Sequence, residues 1–119
     1  KYMFLETDVK KVLFDNKDTL FQGLTDGDEH VKWLITQPHY MDIINGFVDA
    51  AYILKKSNPE HGSVSLIIEF LRWQTAVGER EGVFKINNRY KSILSRLIPV
   101  LDPNFKDYFV TRQKPSENV

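Results

Sequence analysis

The most constraining feature of this chain is the spacing of apolar residues near its C-terminal end. From position 90 they recur at helical intervals, at Tyr90, Ile93, Leu94, Leu97, Ile98 and Leu101. This spacing places all of them on one face of an α-helix, which we expect to run from Asn87 or Asn88 to near Pro99. Since such a helix is stable only when its apolar face is packed, the pattern predicts a helical domain with a shared core.

Turn residues divide the rest of the chain into further helices. Gln37-Pro38 and Ser57-Asn58-Pro59 interrupt the helical pattern, because proline disfavours helical geometry at the residue before it. We therefore expect helices over residues 6–24, 28–36, 40–56 and 64–77, then the helix described above and a short turn over residues 102–109. Apolar residues cover most of the circumference of the 64–77 helix, so we expect it to be the buried central helix.

The expected fold class is mainly α, with a single compact domain of five to six helices over residues 1–119. Residues 1–5 and 113–119 are expected to be frayed. Phe84-Lys85-Ile86 alternates like a strand, so at most a very short β element is expected around residues 83–86.

The composition excludes several classes of protein. The chain has no cysteine, which removes disulfide frameworks, thiolate zinc sites and cysteine nucleophiles, and which fits a reducing cytosol. No apolar run approaches the roughly 18 residues of a membrane span, and no signal-peptide pattern opens the chain. We therefore expect a cytoplasmic protein with no membrane partner.

The net charge is zero, but the charges are unevenly distributed. Residues 1–60 carry seven Lys/Arg and ten Asp/Glu, whereas residues 61–119 carry nine and six. Residues 83–114 alone carry seven cations and two carboxylates. Such a split steers an anionic ligand to one end of a molecule, or it reflects two halves of one domain that attract each other.

The start of the fifth helix is the best candidate for an anion or nucleic-acid site. Asn87 or Asn88 caps it, and we expect the first backbone N–H groups to face outward at the positive end of the helix dipole. Helix N-termini and cations are the groups that bind phosphate. The candidate residues are Lys85, Asn88, Arg89, Lys91 and Arg96. The alternative is an ordinary solvated helix face with a good cap.

Three further residues are accessory candidates for the same site. Arg72 and Trp73 lie near the end of the fourth helix, and Arg112 lies near the end of the chain. An arginine binds phosphate or stacks, and an indole offers a stacking plane. The structural alternative is a core tryptophan beside an arginine that holds a neighbouring carboxylate or carbonyl group.

No pattern in the sequence predicts a metal, a cofactor or catalysis. The densest cluster of ligand-type residues is Asp26, Asp28, Glu29 and His30, but it lacks the alternating oxygen ligands of a calcium loop. Helix capping explains it without a metal, since Asp26 and Glu29 have capping-box spacing. Phosphate-loop, dinucleotide-binding and nucleophile-elbow motifs are absent, so we expect a protein that is not an enzyme, without a small-molecule substrate.

Slightly more than half of the chain resembles a family pattern. The matching residues are Ser63, Arg72-Trp73, Phe84-Lys85-Ile86-Asn87-Asn88, Arg96, Pro103 and the Phe-x-x-Arg of Phe109 and Arg112. This arrangement resembles a loosely defined group of small uncharacterised phage- and prophage-type helical proteins. The resemblance brings no established activity. It implies a phage-type provenance and, for a phage-encoded chain, the cytoplasm of the host cell.

Two functional hypotheses follow. The first is a non-enzymatic, phage-type nucleic-acid-binding or regulatory protein, in which the fourth helix supports the basic fifth helix in a helix-turn-helix-like arrangement. A net charge of zero counts against it, because affinity for nucleic acid comes largely from phosphate neutralisation. The second is a protein–protein interaction module, either a host-factor binder or a self-assembling component, with an acidic N-terminal half, a basic C-terminal half and exposed aromatic residues.

Overall fold

The computed structural model describes residues 3–22, 27–76 and 86–110. Five α-helices occupy most of these ranges: α1 (Glu6–Leu20), α2 (Gly27–Thr36), α3 (Tyr40–Ser57), α4 (Val64–Ala76) and α5 (Arg89–Leu101). A 3₁₀ turn follows at Pro103–Phe105. Two short strands, β1 (Gly62–Ser63) and β2 (Phe109–Val110), pair in parallel. The prediction of a mainly α, compact fold is confirmed.

The helices form two pairs that α5 joins. Helix α1 packs against α2, α3 packs against α4, and α5 contacts both α1 and α4. The predicted core face of α5 is buried as expected, since Ile93, Leu94, Leu97 and Ile98 have no exposed surface and Tyr90 is also buried. Leu101, the last member of the pattern, is half-buried at the helix end. Within the described ranges no helix combines the length and apolar character needed to cross a membrane.

The expectation that the 64–77 helix is the buried central one is wrong. Helix α4 buries one face, formed by Val64, Ile67, Ile68 and Leu71, and leaves apolar residues exposed on the other side. The most buried helix is α3, whose buried set includes Gly46, Ala50 and Ala51. These small residues let neighbouring elements approach closely, and α3 contacts α2, β1 and α4.

Several expected boundaries differ from the structure. Helix α1 ends at Leu20 instead of residue 24, and residues 23–26 lie outside the described part. Helix α5 continues through Pro99 to Leu101, and the Asp102 N–H closes its last turn on the Ile98 carbonyl at 2.8 Å. Proline fixes a helix-compatible φ and removes one donor, so a single proline in the last turn does not end the helix.

A short β element was expected around residues 83–86, but the strands of the described chain lie elsewhere. Residues 83–85 lie outside the described ranges, and Ile86 is not in a strand. The strand pair instead joins the entry to α4 with the segment after the 3₁₀ turn, at Gly62 and Phe109. The paired residues lie far apart in the sequence, so the local alternation of apolar and polar residues does not predict this pairing.

The expected fraying of residues 1–5 is wrong at Phe4. The Phe4 backbone N–H donates to Oδ1 of Asn45 on α3 at 2.7 Å, and the Asn45 amide donates to the Phe4 carbonyl at 3.4 Å. One amide side chain therefore satisfies both backbone groups of Phe4. Residues 113–119, which were also expected to be frayed, lie outside the described ranges.

Aromatic residues close the C-terminal part of the fold over α3. Phe105 lies between Tyr52, Tyr108 and Phe109, with ring centroids 4.6, 5.6 and 5.5 Å away. The Tyr108 hydroxyl donates to the Asn58 carbonyl at 2.8 Å. At Gly62, an added Cβ would lie 2.6 Å from the Tyr108 ring, so the strand pairing depends on the absence of a side chain at that position.

Candidate functional site

The start of α5 does not present free backbone N–H groups. The Asn87 side chain accepts from the Arg89 N–H at 2.8 Å, while the Tyr90 and Lys91 N–H groups donate to the Asn87 and Asn88 carbonyls at 3.0 Å. The expectation of outward-facing donors is therefore wrong for these three residues. Asparagine can bond the backbone two residues on, and Asn87 does so here. Asn88 has helical dihedral angles and makes no capping bond.

Arg72 ties the end of α4 to the approach to α5. Its guanidinium lies 2.6 Å from the Glu69 carboxylate and donates to Asn88 Oδ1 at 3.1 Å and to the Ile86 carbonyl. The structure thus brings together two of the predicted site residues, Arg72 and Asn88. It also gives the arginine three acceptors within the chain, which corresponds to the structural alternative.

Arg89 turns towards α2. Its guanidinium lies over the Trp33 ring, 4.8 Å from the centroid, and its Nη2 is 3.2 Å from Nδ1 of His30. A guanidinium can only donate, so in this contact Nδ1 of His30 is an unprotonated acceptor. The half-buried Arg89 is therefore held by an aromatic face and an imidazole on a neighbouring helix.

A shallow groove of about 470 Å³ lies beside this contact. Its lining consists of Asp28, Glu29, Lys32, Trp33, Thr36 and Arg89. The hydrogen bond from Lys17, at 2.6 Å, lowers the pKa of the Asp28 carboxyl from its ordinary value. The groove combines two carboxylates with two cations, so its charges do not favour an anionic ligand over a cationic one.

The remaining predicted cations do not extend this cluster. Lys91 and Arg96 are half-buried on α5, and Arg96 Nη1 donates to the Ser92 carbonyl one turn earlier at 3.0 Å. Lys85 and Arg112 lie outside the described residues. The predicted site is thus divided, with Arg72 and Asn88 in one contact, Arg89 in another and Arg96 further along the helix.

Helix α4 carries a second apolar face, which sequence analysis missed. Leu66 and Trp73 are 55% and 53% exposed, and Phe70 between them is half-buried. Their spacing of four and then three residues puts them on one side of the helix, opposite the buried face. We call these three residues the outer face of α4. The signal was present in the sequence, because a helix that is apolar all round has either a surrounding core or two separate apolar faces.

The two aromatic rings of the outer face form an ordered pair. The Phe70 and Trp73 centroids are 6.2 Å apart, and the ring planes differ by 18°. The structural alternative for Trp73 was a core position, and this is wrong, since about half of its surface is accessible. The other large exposed apolar residues of the described chain, Met3, Leu5, Phe14, Ile53 and Val100, lie on other elements.

Acidic and imidazole side chains do not assemble into a metal site in the part of the chain that the structure describes: no group of three or more His, Asp or Glu residues there could hold an ion. Comparisons with protein-family profiles, with curated proteins and with solved structures give no match.

Proposed function

We propose that this chain is a non-enzymatic protein-interaction module and that the outer face of α4 is its docking surface. The observation that carries the proposal is the exposure of Leu66 and Trp73 on the side of α4 that faces away from the core. Exposure of two large apolar side chains to water on one helix face is unfavourable. Burial of these side chains against a partner would therefore be favourable.

The aromatic pair suits this role. Phe70 and Trp73 are already stacked, so little side-chain freedom remains to be lost on binding. Tryptophan is among the residues that contribute most to interface affinity when a partner surrounds them. Helical spacing of four and three residues is also the pattern with which one helix docks against another or into a groove.

The nucleic-acid hypothesis has weaker support from the same geometry. Asn88 is exposed and Lys91 and Arg96 keep part of their surface on α5, which leaves some positive charge available. However, Arg72 and Arg89 are held by partners within the chain, and the first N–H groups of α5 are already bonded. We keep it as the second candidate, together with the phage-type provenance that the sequence pattern implies.

Site-specific photo-crosslinking tests the docking surface. A photoreactive benzophenone amino acid replaces Leu66 in one protein and Phe14 in another, since Phe14 is a large apolar residue that is 50% exposed on α1. Both proteins are irradiated in the cells that make them, and the products are identified by mass spectrometry. We expect a protein adduct at position 66 and none at position 14. Absence of any adduct at position 66, or equal adducts at both positions, would refute the proposal.

Fluorescence polarisation at low salt tests the second candidate. Labelled duplex and single-stranded oligonucleotides are titrated with the wild-type chain and with the Lys91→Ala/Arg96→Ala variant. Binding that falls in the variant and weakens steeply with salt would support the nucleic-acid hypothesis, since phosphate contacts release counterions. Absence of binding at micromolar protein would remove it.

A further inference from the structure

We propose that the contact between His30 and Arg89 is a pH-sensitive switch, closed while the imidazole is neutral and opened when the imidazole takes up a proton. The closed contact holds Arg89, one of the predicted site residues, against α2. The open state releases the guanidinium to solvent beside the exposed Asn88. This inference does not use the outer face of α4, so it stands or falls separately from the proposed function.

The geometry of the contact requires a neutral imidazole. Arg89 Nη2 lies 3.2 Å from Nδ1 of His30. A guanidinium keeps its charge and can only donate, so Nδ1 is the unprotonated ring nitrogen. Protonation turns Nδ1 into a second donor, which removes the hydrogen bond and brings two positive charges face to face. The charge on one ring therefore decides whether the contact attracts or repels.

Opening the contact moves a side chain and leaves the helices packed. The Phe21 ring lies 5.1 Å from the His30 ring, and the Trp33 ring lies 5.1 Å from the ring of Tyr90, which is buried on α5. The contact between Trp33 and Tyr90 does not depend on the charge of the imidazole, so it keeps α2 against α5. Arg89 is half-buried at the start of its helix, so a change of rotamer brings its guanidinium to solvent.

The other charged groups beside the contact keep their charge while an imidazole titrates. Lys17 of α1 pairs with Asp28 of α2 at 2.6 Å, and this contact lowers the pKa of the Asp28 carboxyl. Glu29 and Lys32 of α2 line the groove beside Arg89. Lysine, arginine and carboxyl groups ordinarily titrate outside the range of about pH 5 to about pH 8, whereas an imidazole titrates within it. Among these described groups, the imidazole is therefore the one whose charge changes in this range.

Tryptophan emission tests the switch, because the Arg89 guanidinium lies over the Trp33 ring. Trp73→Phe leaves Trp33 as the single tryptophan of the chain and serves as the parent protein. Its emission is recorded from about pH 8 to about pH 5, the range in which an ordinary imidazole titrates. We expect one transition of the Trp33 emission in this range. Circular dichroism at each pH should show a constant helix content, because the helices stay packed.

Three variants of the parent assign the transition. His30→Gln should abolish it and keep the emission of pH 8 throughout, because the glutamine oxygen accepts from Arg89 at every pH. Arg89→Ala should abolish it as well, with the emission of the open state throughout. A transition that persists in Arg89→Ala would come from the imidazole acting on Trp33 directly, and it would overturn the switch. His39→Gln is the matched control, since His39 is an exposed histidine before α3, and this variant should behave as the parent does.

A double-mutant cycle measures the same contact through unfolding in urea. His30→Ala, Arg89→Ala and the double variant are compared with the wild-type chain at about pH 8 and at about pH 5. At pH 8 the coupling between the two residues should correspond to a change of about two- to tenfold in the unfolding equilibrium constant, which is the size of one hydrogen bond. At pH 5 the coupling should vanish or change sign, because the hydrogen bond is lost and the two charges repel.

Either measurement can overturn the inference. The switch is refuted by a parent protein without an emission transition, by a transition that survives His30→Gln, or by equal coupling at both pH values. A transition that is lost in both His30→Gln and Arg89→Ala, together with coupling at pH 8 alone, supports it. The crosslink at position 66 reports on the docking surface whatever these results are, so failure of the switch and failure of the proposed function are distinguishable.

Discussion

Tyr90 provides a test in which removal of a polar group should stabilise the fold. Its side chain is 2% exposed on the core face of α5. Among the described residues, its hydroxyl is the buried side-chain polar atom without a hydrogen-bond partner. Burial also raises the pKa of this phenol to about 12. We therefore expect Tyr90→Phe to increase the free energy of unfolding.

The magnitude follows from two opposing contributions. A buried polar group left without a hydrogen bond costs about 1–3 kcal/mol relative to its hydrated state. Deletion of one hydroxyl leaves a small void, and at about 24 cal/mol per Å³ this offsets only a few tenths of a kcal/mol. The expected net gain is about 1 kcal/mol, which corresponds to a rise in Tm of about 3–6 °C for a domain of this size.

Urea and thermal unfolding, followed by circular dichroism, measure the change. Tyr108→Phe is the matched control, because it deletes the same atom from a buried ring whose hydroxyl donates to the Asn58 carbonyl. Loss of that bond should destabilise the control by about 1 kcal/mol. If Tyr90→Phe is destabilised to the same degree, its hydroxyl is bonded in solution and our reasoning about this position is wrong.

The pH dependence gives an independent check on Tyr90. A tyrosine in the unfolded chain ionises near pH 10, whereas burial raises the pKa of Tyr90 to about 12 in the folded chain. Since the folded pKa is the higher one, ionisation of Tyr90 leaves the free energy of unfolding unchanged below about pH 10 and lowers it as the pH rises from about 10 towards about 12. Tyr90→Phe should therefore lose less stability than wild type in this window, while the other tyrosines contribute equally to both proteins.

Four further substitutions test the packing of the fold and the contacts of α5. Leu97→Ala should lower the free energy of unfolding by about 2–5 kcal/mol, because Leu97 is fully buried. Arg96→Ala should change the same quantity, measured in urea, by no more than about 0.5 kcal/mol. Equal losses would mean that both side chains are internal. Gly62→Ala should cost about 1–3 kcal/mol, because the new Cβ would lie 2.6 Å from the buried Tyr108 ring, and a neutral result in the same assay would contradict the close approach. Arg89→Ala should cost about 0.5–2 kcal/mol and shift the tryptophan emission, because the guanidinium lies over an indole ring; unchanged emission would contradict that contact.

The helical core was predictable because it depends on local spacing. The apolar positions of α5 form one uninterrupted face, and burial of Tyr90 and Leu97 followed from that spacing alone. The turns at Pro38 and Pro59 were equally local, since proline restricts the residue before it. Both kinds of signal depend on residues a few positions apart, so they can be interpreted without knowledge of the tertiary fold.

The candidate site was less predictable because its contacts are distant in sequence. Arg89 was a candidate for binding an anion, but its guanidinium contacts Trp33 and His30 on α2, more than fifty residues earlier in the chain. A list of cations along one helix does not show which aromatic or imidazole groups another helix brings to them. The engagement of Arg72 by Ile86 and Asn88 is a similar case, since it depends on where the chain returns after α4.

Helix α4 shows why apolar composition alone does not distinguish a central helix from an interface helix. Arg72 joins Glu69 to the approach to α5 on one side of the helix, whereas Leu66 and Trp73 are exposed on another side. If the outer face is the docking surface, apolar burial against the partner would supply the affinity. The chain would thus use one helix twice, with its inner face for folding and its outer face for association.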